Sequence, residues 1–141
     1  MTNNKYDSYF INEPFIDSNE IKKRLVFNGV QHFPGLNYWF RWNCFTKDRM
    51  FRDPPHSHDF DQVFHFMGGD PMDLSDFGAE IEFTLGGEKH IFNRTTLVYV
   101  PKGMEHCPIY VRNVTKPIRF INVAITGDYH RVSGAETPMQ W

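Results

Sequence analysis

The 141-residue sequence contains only two cysteines, Cys44 and Cys107. Two thiols make no disulfide framework. Nowhere does an apolar run approach the roughly 20 residues needed to cross a bilayer. Excess positive charge is also missing: 15 Lys and Arg stand against 17 Asp and Glu, a net charge of −2 with histidine neutral. That balance argues against a nucleic-acid or membrane-surface partner. The opening residues, MTNNKYDSYFINEPF, lack the basic-then-apolar order of a secretion signal. Internal repeats and low-complexity segments are absent as well. These absences leave a cytoplasmic, reduced protein as the expectation. The length suits one domain with one hydrophobic core and is too short for two comfortable ones.

What is abundant is aromatic. Aromatic residues make up 16% of the chain, and 14 are Phe. Such a composition suits a β-rich core or an aromatic-lined pocket. From Leu36 onward the chain reads as short strands between turns. LNYWFRWNCF is aromatic and strand-like, and QVFHFM ends at Gly68 and Gly69. AEIEFTL alternates, with Glu80, Glu82 and Thr84 on one face and Ile81, Phe83 and Leu85 on the other. Gly86 and Gly87 then turn the chain into EKHIF, a hairpin signal. TTLVYV stops at Pro101, and PIYV and PIRFINVAI complete the set. About seven strands at this spacing, with almost no helix, predict an all-β sandwich or barrel.

Three segments follow. Residues 1–35 read as a polar N-terminal arm with a short helix in DSNEIKKRL, where Asp17 is the N-cap and Glu20 completes a capping box. Residues 36–126 form the barrel. Residues 127–141 form a polar tail that covers the surface or a neighbouring subunit.

The stretch HSHDFDQVFHFMGG carries the chemistry. Residues of equal parity on a strand point to one side. Run as an extended segment, it sends His56, His58 and Gln62 to one face, and His65 and Asp61 to the other. Two imidazoles two residues apart are a common way to hold a borderline divalent metal, bound through neutral imidazole nitrogen. His106 in PKGMEHCP is the best candidate for a third ligand. By the same parity Cys107 points away from His106 and is expected to be buried and inert. Glu80 and Glu82 are expected to be solvated, and Asp59 and Asp61 to lie at the surface or to orient a histidine.

HSHDFDQVFHFMGG resembles the first motif of the cupin superfamily, with His56, His58, Gln62 and Gly69 at the expected spacing. PKGMEHCPIY resembles the second, with Pro101, Gly103 and His106. The resemblance covers roughly residues 36–125 and implies a cupin double-stranded β-helix, a small antiparallel β-barrel of jelly-roll type. It also implies a homodimer and a divalent transition metal (Fe, Mn, Ni or Zn) held by His56, His58, His106 and the residue at 62. Thr95 stands where the second motif usually has glycine, and Tyr110 where it usually has asparagine. The larger departure is Gln62, where the pattern usually has glutamate. A neutral ligand there makes the site more positive by one unit, weakens its hold on metal and strengthens its attraction for an anion. It also removes a carboxylate able to act as a base.

For substrate, Arg41 would clamp a carboxylate if it pointed inward; an outward direction, as an ordinary surface or interface residue, is slightly favoured. Tyr99 and Tyr110 are candidate proton donors or acceptors near the pocket. Arg49 and Arg52 either rim the mouth or are solvated. The resulting expectation is a metal-dependent enzyme acting on a small, anionic, oxygen-containing substrate, with dioxygenase chemistry slightly favoured over lyase or isomerase. The alternatives are a non-catalytic small-molecule-binding or sensing module and a structural subunit.

Overall fold

The computed structural model describes residues 4–17, 23–51 and 53–130. Ten strands among them make two antiparallel sheets. The first sheet has six strands in the order β1 (Phe15–Ile16), β2 (Arg24–Asn28), β3 (Trp39–Phe45), β10 (Ile118–Ala124), β5 (Gln62–Gly68) and β8 (Thr96–Val100). The second has four, in the order β4 (Arg49–Phe51), β9 (His106–Arg112), β6 (Glu80–Leu85) and β7 (Glu88–Phe92). The all-β expectation therefore holds, and each strand-like stretch from LNYWFRWNCF onward forms a strand.

Alternation along the central strands decides what faces the interior. β5 and β10 bury every second residue: Gln62, Phe64, Phe66 and Gly68 on one, Ile118, Phe120, Asn122 and Ala124 on the other. Their register sets Phe120 opposite Phe66, Asn122 opposite Phe64 and Ala124 opposite Gln62. The interior is consequently graded along the strands. One end is apolar, where Phe45, Phe66, Phe83 and Phe120 join Ile81, Ile109, Val111 and Ile118. Phe66 and Phe120 have ring centroids 5.1 Å apart, and Phe64 meets Phe83 edge-on at 5.3 Å. The other end carries buried polar side chains, Asn43, Gln62 and Asn122. Burying the aromatic end drives folding, at about 25 cal/mol per Å² of apolar surface removed from water. The polar end must find hydrogen bonds or ligands instead.

The predicted hairpin is present. Gly86 and Gly87 have φ of +58° and +80°, joining Leu85 to Glu88 through a two-residue turn that requires left-handed backbone. The arm does more than expected. β1 pairs with β2, and β2 pairs with β3 through Val26 and Arg41, so the arm extends the barrel's own sheet. The expected helix falls on residues 18–22, outside the described residues, and Arg24 and Leu25 from the same stretch already belong to β2. Glu82 is a correction. It is buried, not solvated, because Arg112 Nη2 lies 3.0 Å and Lys89 Nζ 3.6 Å from its carboxylate.

Candidate metal centre

His56 and His58 lie in the segment that leads into β5. That segment is not a continuous strand, since the chain bends at Asp59 and Phe60. What seats His56 is an isolated antiparallel bridge to the first residue of β9. His56 N donates to His106 O at 3.1 Å, and His106 N donates to His56 O at 3.0 Å. The two residues are thus held side by side, and His58 follows over the same end of the barrel. Ring centroids are 4.5 Å apart for His56 and His106, 5.0 Å for His56 and His58, and 5.2 Å for His58 and His106. All three are buried, as is Gln62 at the start of β5. The predicted quartet is gathered at the polar end, although by a bridge and a bend and not by strand parity.

The hydrogen bonds fix the tautomer of each ring. His56 Nδ1 bonds the Pro54 carbonyl at 2.8 Å and His106 Nδ1 the Met104 carbonyl at 3.2 Å, while His58 Nδ1 bonds the His130 carbonyl. A carbonyl oxygen only accepts, so each Nδ1 carries the proton and each Nε2 carries a lone pair. This is the arrangement that metal-ligating histidines use, with the second ring nitrogen tied down.

Gln62 donates from Nε2 to Tyr129 Oη at 3.0 Å and to Asn122 Oδ1 at 3.3 Å. Its Oε1 is buried and has no hydrogen-bond partner. An orphaned buried carbonyl oxygen costs on the order of 1–3 kcal/mol, a cost that a cation or a bound water removes. Three oriented imidazoles and one unsatisfied oxygen therefore fit a divalent transition metal.

Two residues in this region escaped sequence reasoning. Tyr129, from the segment after β10, packs its ring against Trp39, His58 and Phe60 at 4.6, 4.7 and 5.4 Å. Its hydroxyl accepts from Gln62 and donates to His58 Nε2 at 3.2 Å. Burial pushes the phenol above its ordinary pKa, and the nearby Arg41 offsets part of that. Tyr129 is thus a component of the site and not surface cover; residues 131–141 of the tail lie outside the described residues. The only signal in the sequence was one aromatic residue shortly after the last strand. Asp59 fixes this segment by pairing with His130 at 2.7 Å.

Cys107 is the second. It is buried as expected, but its direction is not the one parity predicts. A register shift between β6 and β9 sets Leu85 opposite His106 and Phe83 opposite Ile109, so one residue is extra on β9. Cys107 takes up the irregularity with φ of +84°. As a result His56, His106 and Cys107 each offer a ligand atom, all within 4.8 Å of one another.

Other predicted residues fall differently. Arg41 corrects the favoured outward direction. It shares the inward face of β3 with Trp39 and Asn43, and its guanidinium lies 5.8 Å from the Trp39 ring and 6.0 Å from the Phe120 ring. Its Nε is shielded from solvent, and burial lowers its pKa to about 10. Tyr99 is 57% exposed on β8, and its hydroxyl donates to Asp61 at 3.0 Å, a bond that raises its pKa. Tyr110 lies on the outward face of β9, between the buried Ile109 and Val111, with Arg112 stacked 4.5 Å over its ring. Both side chains therefore lie on outward faces, away from the buried histidines. Arg49 stacks on Phe51 at 4.8 Å, and Arg52 lies outside the described residues. His65 points outward and bonds the Ile121 carbonyl at 3.1 Å, as expected.

No protein-family model matches the chain, and no curated protein does. Solved structures match in fold. An oxalate oxidase in complex with the substrate analogue glycolate aligns with a TM-score of 0.55 at 15% identity, over 89% of this chain and 63% of that one. A KdgF from Halomonas sp. aligns with a TM-score of 0.48 at 16% identity, over 75% of this chain and 80% of its own. An RmlC-like cupin from Shewanella frigidimarina gives 0.46 at 17% identity, over 72% and 73%. At such identities the likeness is one of fold, and the fold of this chain is that of the cupins.

Proposed function

We propose that this chain is a metal-dependent enzyme acting on a small anionic substrate that carries oxygen donors. The observation that supports it most is the convergence of His56, His58 and His106 with every Nδ1 tied to a backbone carbonyl. This spends three backbone acceptors on fixing the tautomers of three buried, neighbouring imidazoles, two of which, His56 and His106, bring ligand atoms within 4.8 Å of each other. His56, His58 and His106 would hold the metal, with Gln62 Oε1 completing the set. Bound there, the metal supplies Lewis acidity or, as iron, activation of O₂.

The protein's own groups define the rest. Gln62 would contribute an oxygen donor and no charge of its own. Arg41 faces the interior from β3 and adds a guanidinium suited to a carboxylate. Tyr129 places a protonated phenol beside His58, where it can donate a hydrogen bond to a bound oxygen. Phe60 and Trp39 keep water from that wall. The oxalate oxidase of similar fold binds glycolate, a small hydroxy acid of this chemical type. Oxidation by O₂ is the finer reading, with lyase or isomerase chemistry its competitor, and the active form is a homodimer in the cytoplasm.

Elemental analysis of tag-free protein, followed by assays on small carboxylates, tests the proposal. About one equivalent of transition metal is expected, lost in His58→Ala together with turnover. Turnover by the metal-free protein would sink the reading. One observation favours a second reading, a non-catalytic binding module: Tyr129 already satisfies His58 Nε2. That reading expects a small carboxylate bound by metal-free protein and recovered unchanged.

A further inference from the structure

We propose that Cys107 is the anionic ligand of this metal centre, supplying as a thiolate the charge that Gln62 does not. The inference rests on the metal-centre reading above and deepens it. Histidine and glutamine are neutral donors, and a divalent ion held by neutral donors alone in a water-poor interior is poorly compensated. Among the described residues, the cluster whose ligand atoms converge within 4.8 Å contains no carboxylate. It is His56, His106 and Cys107, all buried.

The backbone is bent to bring the sulfur there. On a regular strand consecutive side chains point to opposite faces, so His106 and Cys107 could not share an interior. The extra residue on β9 and the φ of +84° at Cys107 break that rule. A residue bearing a Cβ holds such a conformation at a cost on the order of 1–3 kcal/mol, and strain of this kind clusters at functional sites. Glycine would relieve it, yet the position carries a thiol. The His56–His106 bridge then locks the neighbouring ligands in register with the sulfur. The orphaned Oε1 of Gln62 is an independent sign that this interior is arranged around a cation.

The step is a simple exchange. The S–H bond of Cys107 breaks, a metal–sulfur bond forms and the proton leaves to solvent. A donor set of imidazole nitrogen and one thiolate selects Zn, Co, Ni or Fe over Mn and Mg, which prefer oxygen. The predicted metal list is thereby narrowed by removing Mn.

Cys44→Ser gives a protein whose only thiol is Cys107. Cys44 lies on β3, where the inward residues are those of opposite parity. Metal-free Cys44→Ser protein is titrated anaerobically with Co(II) and followed by absorption. Visible ligand-field bands together with an intense near-ultraviolet thiolate-to-cobalt band, both saturating at one equivalent, are expected. A further Cys107→Ala change should abolish the ultraviolet band and weaken Co(II) binding at least tenfold. Ligand-field bands without the ultraviolet band overturn the role of Cys107 and leave the histidine centre standing. No uptake of Co(II) overturns both. The Cys44→Ser spectrum decides the question even if the double variant does not fold.

Discussion

Replacing Gln62 by glutamate exchanges one heavy atom, the amide nitrogen for an oxygen, in a fully buried position and adds a negative charge at the polar end of the interior. Gln62→Glu should raise affinity for a divalent metal at least tenfold by calorimetric titration. Unchanged affinity would remove Gln62 from the ligand set. In the metal-free protein the same change leaves an unpaired buried carboxylate, which should cost about 2–4 kcal/mol in urea denaturation. Tyr129→Phe is the complementary test. It keeps the ring packed between Trp39 and Phe60 but removes the hydroxyl that joins Gln62 to His58. Metal-free stability should fall by about 1–2 kcal/mol. Metal affinity should not fall, because His58 Nε2 is released from its bond to the phenol. A fall in affinity would make the phenol itself a ligand. At this scale the sequence marks residues by type and spacing. It singles out His56, His58, Gln62 and His106 as candidates because spacing is visible. It misses Tyr129 because nothing local says that a tail residue folds inward, and it proposes Tyr99 and Tyr110 because nothing local says which face of a strand is wet.

Strands and turns carry the next level of argument. The hairpin at Gly86 and Gly87, the alternation of β5 and the β-branched run of β8 are legible because each depends on neighbours in sequence. Three features are not. The bulge on β9 depends on how β6 and β9 register across the sheet, so a parity argument for Cys107 fails there. Likewise β2 depends on its partner β3, and Val26 and Phe27 find that partner only in three dimensions. The inward face of β3, and with it Arg41, is fixed by the pairing of β3 with β10, where Asn122 lies opposite Arg41. Gly69 belongs to both levels. The motif marks it by spacing, and the structure gives the reason: a Cβ there would lie 2.2 Å from the Pro117 carbonyl oxygen. That oxygen belongs to the chain entering β10, so relieving the clash displaces the strand that carries Asn122. Gly69→Ala should lower stability by about 1–3 kcal/mol in chemical denaturation, whereas Gly35→Ala, with open space around its Cβ position, should act only through its φ of +96°. Since the φ of Gly69 is not left-handed, an unchanged stability in Gly69→Ala would show that the Pro117 carbonyl yields and that the close approach does not make Gly69 necessary.

The molecule as a whole is a two-sheet shell with an aromatic end and a polar end, and the two ends contribute differently to stability. The aromatic end is satisfied by packing alone: truncating Phe120, which touches Phe45, Phe64 and Phe66, should cost about 3–5 kcal/mol with or without metal. The polar end draws its groups from separate places: Gln62 from the six-stranded sheet, His106 and Cys107 from the four-stranded sheet, His56 and His58 from the segment between. A metal binding all of them ties the sheets together at the end where apolar contact is sparse. Because that arrangement does not exist in the unfolded chain, binding energy becomes folding energy. Metal at a hundredfold excess over its dissociation constant should add about 2.7 kcal/mol. For a chain of this length that corresponds to a rise in Tm of about 10 °C. Calorimetry with and without a chelator should show this difference in the native sequence and in Phe120→Ala, and should show none in His58→Ala. A chelator-dependent Tm that survives in His58→Ala would place the metal somewhere other than the histidine end of the barrel.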